Sequence, residues 1–313
     1  MNRTLDIILV NWNAGAQLYE CLESIRATKN DGFILNRVVV VDNASVDDSL
    51  EALECLNIPL VLIRNTENRG FGAACNQGAE GSRAEYLLFL NPDTRLFENS
   101  LSVPIGYMDM PENSKTGVCG IQLIEDDGHI SRTCARFPGP KHFFARATGL
   151  DRILPRLFKS HFMTEWDHAV SRRVDHVIGA FYLIRQDVFE RLGGFDGRFF
   201  VYLEDLDLSF RVCGHGYRIM YLADAQAYHT GGGTSDRVKA ARLFYSVRSR
   251  ILYGFKHFSA LSAALLFASS LLIEPFSRLI RALLHGSSKE AKETLQGYMM
   301  LVKDIPGILK RVK

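Results

Sequence analysis

The chain has 313 residues, 47% of them hydrophobic, enough to bury a large core in one domain with an appendage or in two smaller domains. Its 37 basic and 35 acidic residues leave a formal charge of +2, so no global field favours nucleic acid and no nucleic-acid partner is expected. The six cysteines form no C-x-x-C pair and no zinc-finger spacing; they read as free buried thiols in a reducing compartment.

The apolar run at 7–10 is too short for a signal segment and is broken by Asn11, so the cytoplasm is the default and the run reads as a first buried strand. Strand-like runs recur at 5–10, 38–41, 60–63 and 86–90, each short, nearly continuous and closed by polar residues. Such runs suit strands covered on both faces. Helical stretches lie between them at 16–28, 46–55 and 72–81. The alternation predicts an α/β fold with a doubly wound sheet, whose ligands sit beyond the carboxyl ends of the strands. Three of those ends carry polar clusters: Asn11-Trp12-Asn13, Asp42-Asn43-Ala44-Ser45 and Asn91-Pro92-Asp93-Thr94. Three tips on one edge make a binding site, although Asn43 or Ser45 also suits the cap of the next helix.

Residues 125–175 lose periodicity and are rich in Arg, His, Phe and Pro, which reads as a long excursion over the sheet edge. Within it the aromatic and basic stretch 136–166 suits either ligand binding or packing. A strand is expected at 174–185, a turn at Gly193-Gly194-Phe195-Asp196, a helix at 204–213 and short strands at 217–222 and 225–229. The tail begins with a basic helix at 237–255. The uncharged stretch 258–273 follows, which as a helix spans about 24 Å, short of a bilayer core of about 30 Å. Another basic, apolar segment covers 277–284, and a last helix runs to about 302. Arg278, Arg281, Lys289 and Lys292 flank the uncharged stretch, favouring a membrane-surface segment over a buried helical pair or a span.

Asp93 closes an apolar run. A carboxylate there can hold Mg²⁺ or Mn²⁺, hard ions that keep waters and share coordination with substrate phosphates; Asn-Pro-Asp-Thr is equally a good turn. Asp42 can accept from a base or a ribose, or make an Asx-turn. Asn68-Arg69-Gly70-Phe71-Gly72 opens a helix containing Asn76, and its glycines allow close backbone approach to an anion. Glu204, Asp205 and Asp207 start a helix beside Phe199, Phe200 and Tyr202. That is either a solvated face or a partly desolvated acid whose pKa rises toward that of a useful base. His229 precedes Thr230-Gly231-Gly232-Gly233-Thr234 and is either a metal ligand or a structural imidazole.

Together, Val39-Val40-Val41-Asp42-Asn43-Ala44-Ser45, Asn68-Arg69-Gly70-Phe71-Gly72, residues 88–94, Gly179-Ala180-Phe181, residues 193–196, Glu204-Asp205 and His229 run in order through most of the chain. They resemble the inverting glycosyltransferases of family 2, with a GT-A fold, and within it the rhamnosyltransferase-like branch. The resemblance implies that Asp42 binds the nucleoside and that Asp93 is the last acid of the family's metal-binding Asp-x-Asp motif. Asn91 stands where the first acid is expected, which lowers the charge and favours His229 as an added ligand. Asp205 matches the family's catalytic base. The donor pocket implied includes Asn11, Asp42, Asn43, Arg69, Gly70, Phe71, Asn76, Asn91 and Asp93.

The reading that follows is a GT-A domain over 1–236 and a helical, membrane-associating extension over 237–313. The expected reaction is transfer of one sugar from a dTDP- or UDP-linked donor, dTDP-rhamnose first, to a lipid-linked saccharide on the inner face of the cell membrane. A nucleotidyltransferase would carry a Gly-rich, Lys-containing loop after the first strand, where Asn11-Trp12-Asn13-Ala14-Gly15 has one Gly and no Lys. A processive synthase would carry Q-x-x-R-W. A dehydrogenase would carry a third glycine. A nucleotide-sugar-binding protein without catalysis is the remaining alternative, opposed by Asp205.

Overall fold

The computed structural model describes residues 3–29, 31–51, 53, 56–231 and 238–312. Its strands are β1 (Arg3–Asn11), β2 (Phe33–Asp42), β3 (Leu60–Arg64), β4 (Tyr86–Leu90), β5 (Thr94–Leu96), β6 (Thr116–Ile124), β7 (Arg172–Val174), β8 (Phe181–Arg185) and β9 (Arg218–His229). Its helices are α1 (Ala16–Ala27), α2 (Phe71–Ala79), α3 (Ser102–Asp109), α4 (Pro140–Thr148), α5 (Leu150–Ile153) and α6 (Gln186–Arg191). They continue with α7 (Glu204–Gly214), α8 (Lys239–His257), α9 (Ala260–Leu272), α10 (Glu274–Leu284), α11 (Ser288–Lys303) and α12 (Ile305–Val312). Two compact units result. The first holds Met1–Arg136, Phe162–Gly197 and Glu204–Thr234; the second holds Phe137–His161, Arg198–Leu203 and Ser235–Lys313.

In the first unit the strands order as β3-β2-β1-β4-β8-β6-β9-β5, with β7 on β9. β1 to β4 are mutually parallel, β8 is antiparallel to β4 and β6, and β6 and β9 are parallel. Alternation along β1 explains the continuous apolar runs. Leu5, Ile7 and Leu9 face the layer that includes Leu18, Cys21, Leu22 and Ile25 of α1, whose helical spacing fits one buried stripe. Ile8 and Val10 face the other layer, with Ala74 and Cys75 of α2 and Leu208 and Val212 of α7. Each such side chain contributes about 1.5–3 kcal/mol on burial. α2 lies close on the sheet: a Cβ at Gly78 would stand 2.6 Å from Ile8 Cγ2. Asp6 is the exception in β1. It is fully buried and accepts from Asn36 Nδ2 at 2.7 Å, Arg37 Nε at 2.6 Å and Ser82 Oγ at 2.6 Å.

The pairs Asn11↔Asp42 and Leu9↔Leu90 bring three strand ends to one edge, and Leu90↔Phe181 brings the start of β8 there too. The structure departs from the sequence expectations at several points. Residues 47–51 form bends and turns rather than the first part of a helix, while 52, 54 and 55 lie outside the described residues. The expected strand at 174–185 is two, β7 and β8. The two expected after 217 are one, β9, with a register shift opposite Ile121 and Gln122. The stretch 125–175 contains α4, α5 and β7. It also packs: Trp166 stacks on His168 at 4.1 Å, and Cys134 and Met163 are buried. Cys21, Cys75, Cys119 and Cys134 are buried free thiols whose pKa values burial pushes up; Cys55 lies outside the described residues.

The second unit is helical. Arg248 pairs with Asp304 at 2.6 Å, and fully buried Glu274 takes Arg250 and, at 2.8 Å, Arg278. Phe143 of α4 packs edge-on to Tyr253. α9 and α10 run on through a turn at Ile273, so the apolar stretch is Ala260–Leu284, 25 residues, longer than expected. By length and composition alone it is long and apolar enough to cross a membrane.

Candidate active site

At the ends of β1 and β2, Asn11 Nδ2 donates to Asp42 Oδ1 at 2.8 Å and also lies 2.8 Å from Ser49 Oγ and 3.0 Å from Ser45 Oγ. Asp42 Oδ2 accepts from Ser45 N at 3.2 Å. Asn43 N donates to Asn11 O at 2.8 Å, its Nδ2 donates to Gly70 O at 3.2 Å, and its Oδ1 accepts from Asn65 at 2.9 Å. Asn43 and Ser45 therefore tie strand ends together and cap no helix among the described residues. Asn11, Asp42 and Asn43 are buried, and Asn11 Oδ1 has no hydrogen-bond partner. Ala44 holds φ 59, a left-handed conformation costing a non-glycine residue about 1–2 kcal/mol.

The next loop is built on Asn68, whose Oδ1 accepts from Gly70 N at 2.9 Å. Gly70, at φ 87, makes the sharp entry into α2 that a side chain would oppose. Phe71 meets Phe195 edge-on at 6.3 Å. Arg69 is exposed on the rim of a cleft of about 650 Å³ shared with Asn76, Gly193 and Gly194. Asn76 commits its amide to the glycine turn: Nδ2 donates to Phe195 O and Oδ1 accepts from Phe195 N, both at 2.8 Å.

After β4, Asn91 N donates to Ala180 O at 3.1 Å, and Asn91 O accepts from Thr94 N at 3.2 Å, so the segment is a turn as well as a polar tip. β5 pairs Thr94 with His229, and Thr230 N donates to Asp93 O at 3.3 Å. That pairing sets Asp93 Oδ1 3.3 Å from His229 Nε2, with both side chains mostly buried. Asp93 Oδ1 has no hydrogen-bond partner. An orphaned carboxylate oxygen facing an imidazole nitrogen fits a divalent cation that keeps waters or phosphate oxygens in its other positions. Among the described residues no three His, Cys, Asp or Glu side chains form a ready-made cage. Gly232 to Thr234 lie outside the described residues.

Asp205 sits in the first turn of α7, where the helix dipole favours a negative charge. Its Oδ2 accepts from Gly179 N at 2.8 Å and its Oδ1 from Leu206 N at 2.7 Å. His176 Nε2 lies 3.8 Å from Oδ2, and its Nδ1 is 2.9 Å from Ser209 Oγ, which contacts Tyr182 OH at 3.1 Å. Burial pushes the His176 pKa down, which keeps the imidazole neutral. The neighbouring acids divide the work. Glu204 is buried against Gly72, and burial, then the charge of Asp205, push its pKa well up. Asp207 pairs with Arg211 at 2.8 Å. Both are buried, but Asp207 has its arginine, while Glu204 Oε2 has no hydrogen-bond partner. Phe199, Phe200 and Tyr202 belong to the second unit, where Phe200 stacks on Tyr245 at 4.5 Å.

A short path joins these pieces within the first unit. Asp205 binds Gly179, the adjacent Ala180 binds Asn91, and Asp93 follows two residues on. Asn11 and Asp42 close the same sheet edge. The arrangement can take a proton at Asp205 and place cationic charge at Asp93. Sequence reasoning missed Ser49, His176 and Ser209. Gly179 was noticed only as part of a string; its position just before an apolar strand at the ligand edge was the available signal.

A sequence profile described as glycosyl transferase family 2 matches residues 6–193. The N-acetylglucosaminyl-diphospho-decaprenol L-rhamnosyltransferase of Mycobacterium tuberculosis is 24% identical over 267 residues, 81% of this chain and 84% of that protein. Rhamnosyltransferase WbbL of Escherichia coli is 27% identical over 150 residues, 46% of this chain and 52% of that protein. The fold is similar to that of the mannosyltransferase PcManGT from Pyrobaculum calidifontis, solved with GDP-Man and Mn²⁺, at a TM-score of 0.54 and 17% identity, covering 98% of this chain and 84% of that one.

Proposed function

The chain belongs to glycosyl transferase family 2, and from that membership we propose that it transfers a single sugar, with inversion, from a nucleoside-diphosphate donor to a hydroxyl of a lipid-linked saccharide in surface polysaccharide synthesis. dTDP-rhamnose is the first choice of donor, supported by the rhamnosyltransferase relatives; a UDP-linked sugar is the second. The lipid-linked acceptor is supported by the decaprenyl substrate in the mycobacterial relative's name. Residues 1–236 serve as the transferase domain. Residues 237–313 serve as the extension that keeps the protein peripheral on the cytoplasmic face of the membrane.

Asp42 receives hydrogen bonds from the base or ribose, held in place by Asn11 and Asn43. Arg69, Gly70, Phe71 and Asn91 border the donor, and Asn76 acts through the turn that it fixes. Asp93 and His229 would hold Mg²⁺ or Mn²⁺, which when bound neutralises charge on the departing diphosphate. Asp205 takes the proton of the acceptor hydroxyl as its oxygen bonds to the anomeric carbon. The bond from that carbon to the phosphate oxygen breaks on the opposite face, and its electron pair leaves with the nucleoside diphosphate.

The single observation that carries this reading is the Asp205 carboxylate, oriented by two backbone N–H groups and joined through Gly179, Ala180 and Asn91 to Asp93. A panel of dTDP-, UDP- and GDP-sugars, each with and without Mn²⁺, tests it by thermal stabilisation. One nucleotide sugar is expected to raise the melting point in a metal-dependent way, about 2.7 kcal/mol of stabilisation at a hundredfold excess over Kd. No shift with any of them contradicts it.

A further inference from the structure

The tail helices wear their apolar side outward. Between Ala260 and Leu284 the charged residues are Glu274, fully buried, and Arg278 and Arg281, partly covered. Uncharged residues stand well exposed: Leu261 at 71%, Leu272 at 67%, Phe276 at 64%, Leu283 at 76% and, at the end of α10, Leu284 at 81%. With Leu265 they recur at helical spacing, so they form one stripe along both helices, about 33 Å long at about 1.5 Å per residue. A surface helix ordinarily shows the reverse, and an apolar patch of this extent marks an interaction face.

The opposite side is already taken. α9 buries Ala263, Leu266, Ser269 and Ser270, and α9 and α10 together pack on α4, α8 and α11 within the same unit. Beside the stripe stand cations in excess. Arg146 and Arg152 join Arg250, Arg278 and Arg281, against the carboxylates of Asp151, Glu274 and Glu290. Burial and then the neighbouring Arg250 pull the Arg146 pKa down; burial and then Arg281 do the same to Arg152. Exposed Ile153 and Leu157 flank this cluster.

We propose that the α9–α10 stripe lies flat in the headgroup boundary of an anionic phospholipid bilayer, with Arg146, Arg152, Arg278 and Arg281 meeting lipid phosphates. The inference rests on the reading that the acceptor is lipid-linked, and it specifies how the protein reaches it. A spanning mode is disfavoured by packing rather than by length. The 25 residues cover about 37 Å, enough for a core of about 30 Å. Spanning would carry the buried Glu274 ion and the helices packed beside it into hydrocarbon, where charged groups are strongly disfavoured. A second copy of the chain suits the face less well, because an isologous contact sets the arginine cluster near its own image.

The test uses the full chain and vesicles, with no donor or acceptor. Flotation with phosphatidylcholine vesicles containing phosphatidylglycerol is expected to recover the protein, and binding to pure phosphatidylcholine is expected to be weaker by on the order of tenfold or more. Leu265→Glu with Phe276→Glu is expected to cut binding by at least about tenfold, while leaving transfer to a short-chain, water-soluble acceptor unchanged. Leu261→Trp, Leu272→Trp and Leu283→Trp, each read against the parent with brominated lipids, are expected to be quenched most by the shallow label. Deepest quenching at 272 with shallow quenching at both ends indicates a span and overturns the proposal. So does absence of anionic binding, or self-association lost in the Glu variant without lipid binding. Loss of vesicle binding with transfer intact removes only this inference, whereas vesicle binding without transfer removes the enzymatic reading.

Discussion

The backbone N–H of Gly179 donates to Asp205 Oδ2 at 2.8 Å, and a Cβ at residue 179 would stand 3.4 Å from the same oxygen. The loop before β8 thus orients the acid proposed to take the acceptor's proton. That distance is an ordinary contact for a single methyl, whereas Gly179→Val carries branched methyls beyond it toward the carboxylate and is expected to displace it by tenths of an ångström. Expected is a fall in kcat of about tenfold, with the donor KM and the melting point nearly unchanged, because positional errors of this kind cost rate rather than binding. A donor KM that rises while kcat holds would place the loop at the donor instead.

Asp93 and His229, far apart in sequence, are brought together by strand pairing to 3.3 Å. His229→Gln is expected to raise the Mn²⁺ concentration for half-maximal transfer by about 10–100-fold, the usual effect of weakening a metal's protein support. Asp93→Asn is expected to lose transfer more deeply. A metal titration read as product formation checks both, and full transfer by the parent in excess chelator would remove both residues from this role.

The strands were legible in the sequence because burial on both faces leaves continuous apolar runs, and β1 to β4 stand where those runs stand. The polar tips were legible because nothing else ends such runs. The helix expected at 46–55 rests on Asn43 or Ser45 as its cap, because such polar residues suit caps. The structure spends them on Asn11, Asn13 and Asp42 instead. The strand at 174–185 was read as one because Ile178, Gly179 and Ala180 keep the hydrophobicity going while the backbone leaves the ladder to meet Asp205 and Asn91. The burial of Glu204 was not legible, since it depends on Gly72 packing on it from far away in sequence.

Asp6 is a buried carboxylate in β1, an interior strand, with three donors on it. Asp6→Ala leaves Arg37 facing an empty place and Ser82 without its acceptor. Expected is a loss of about 3–5 kcal/mol, as when one partner of a buried pair is removed. Chemical denaturation followed by circular dichroism checks this. A change below about 0.5 kcal/mol, the usual range for surface substitutions, would show that the cluster contributes nothing net.

His176 is buried and neutral, its pKa held below the ordinary value of about 6.5. The unfolded chain therefore binds the extra proton first as pH falls below about 6.5, and stability drops from there down through the folded pKa. His168, also pulled down by burial, has the same sign. Glu204 has the opposite one: its raised pKa gives stability that is lost as pH rises through the folded value. His176→Gln is expected to flatten, not abolish, the acid limb of a melting-temperature profile between about pH 5 and 7. An unchanged slope would mean that His176 titrates normally.

The central claim is that Asp205 is the base and not part of the donor pocket. Asp205→Asn keeps the size and one of the two backbone hydrogen bonds yet accepts no proton, so transfer from dTDP-rhamnose, or from whichever donor stabilises the parent, is measured beside metal-dependent donor binding by thermal shift. Expected is a rate lower by about 10²–10⁴-fold with the donor-induced melting shift retained. Normal turnover, or loss of the donor shift in proportion to the lost rate, would contradict the account.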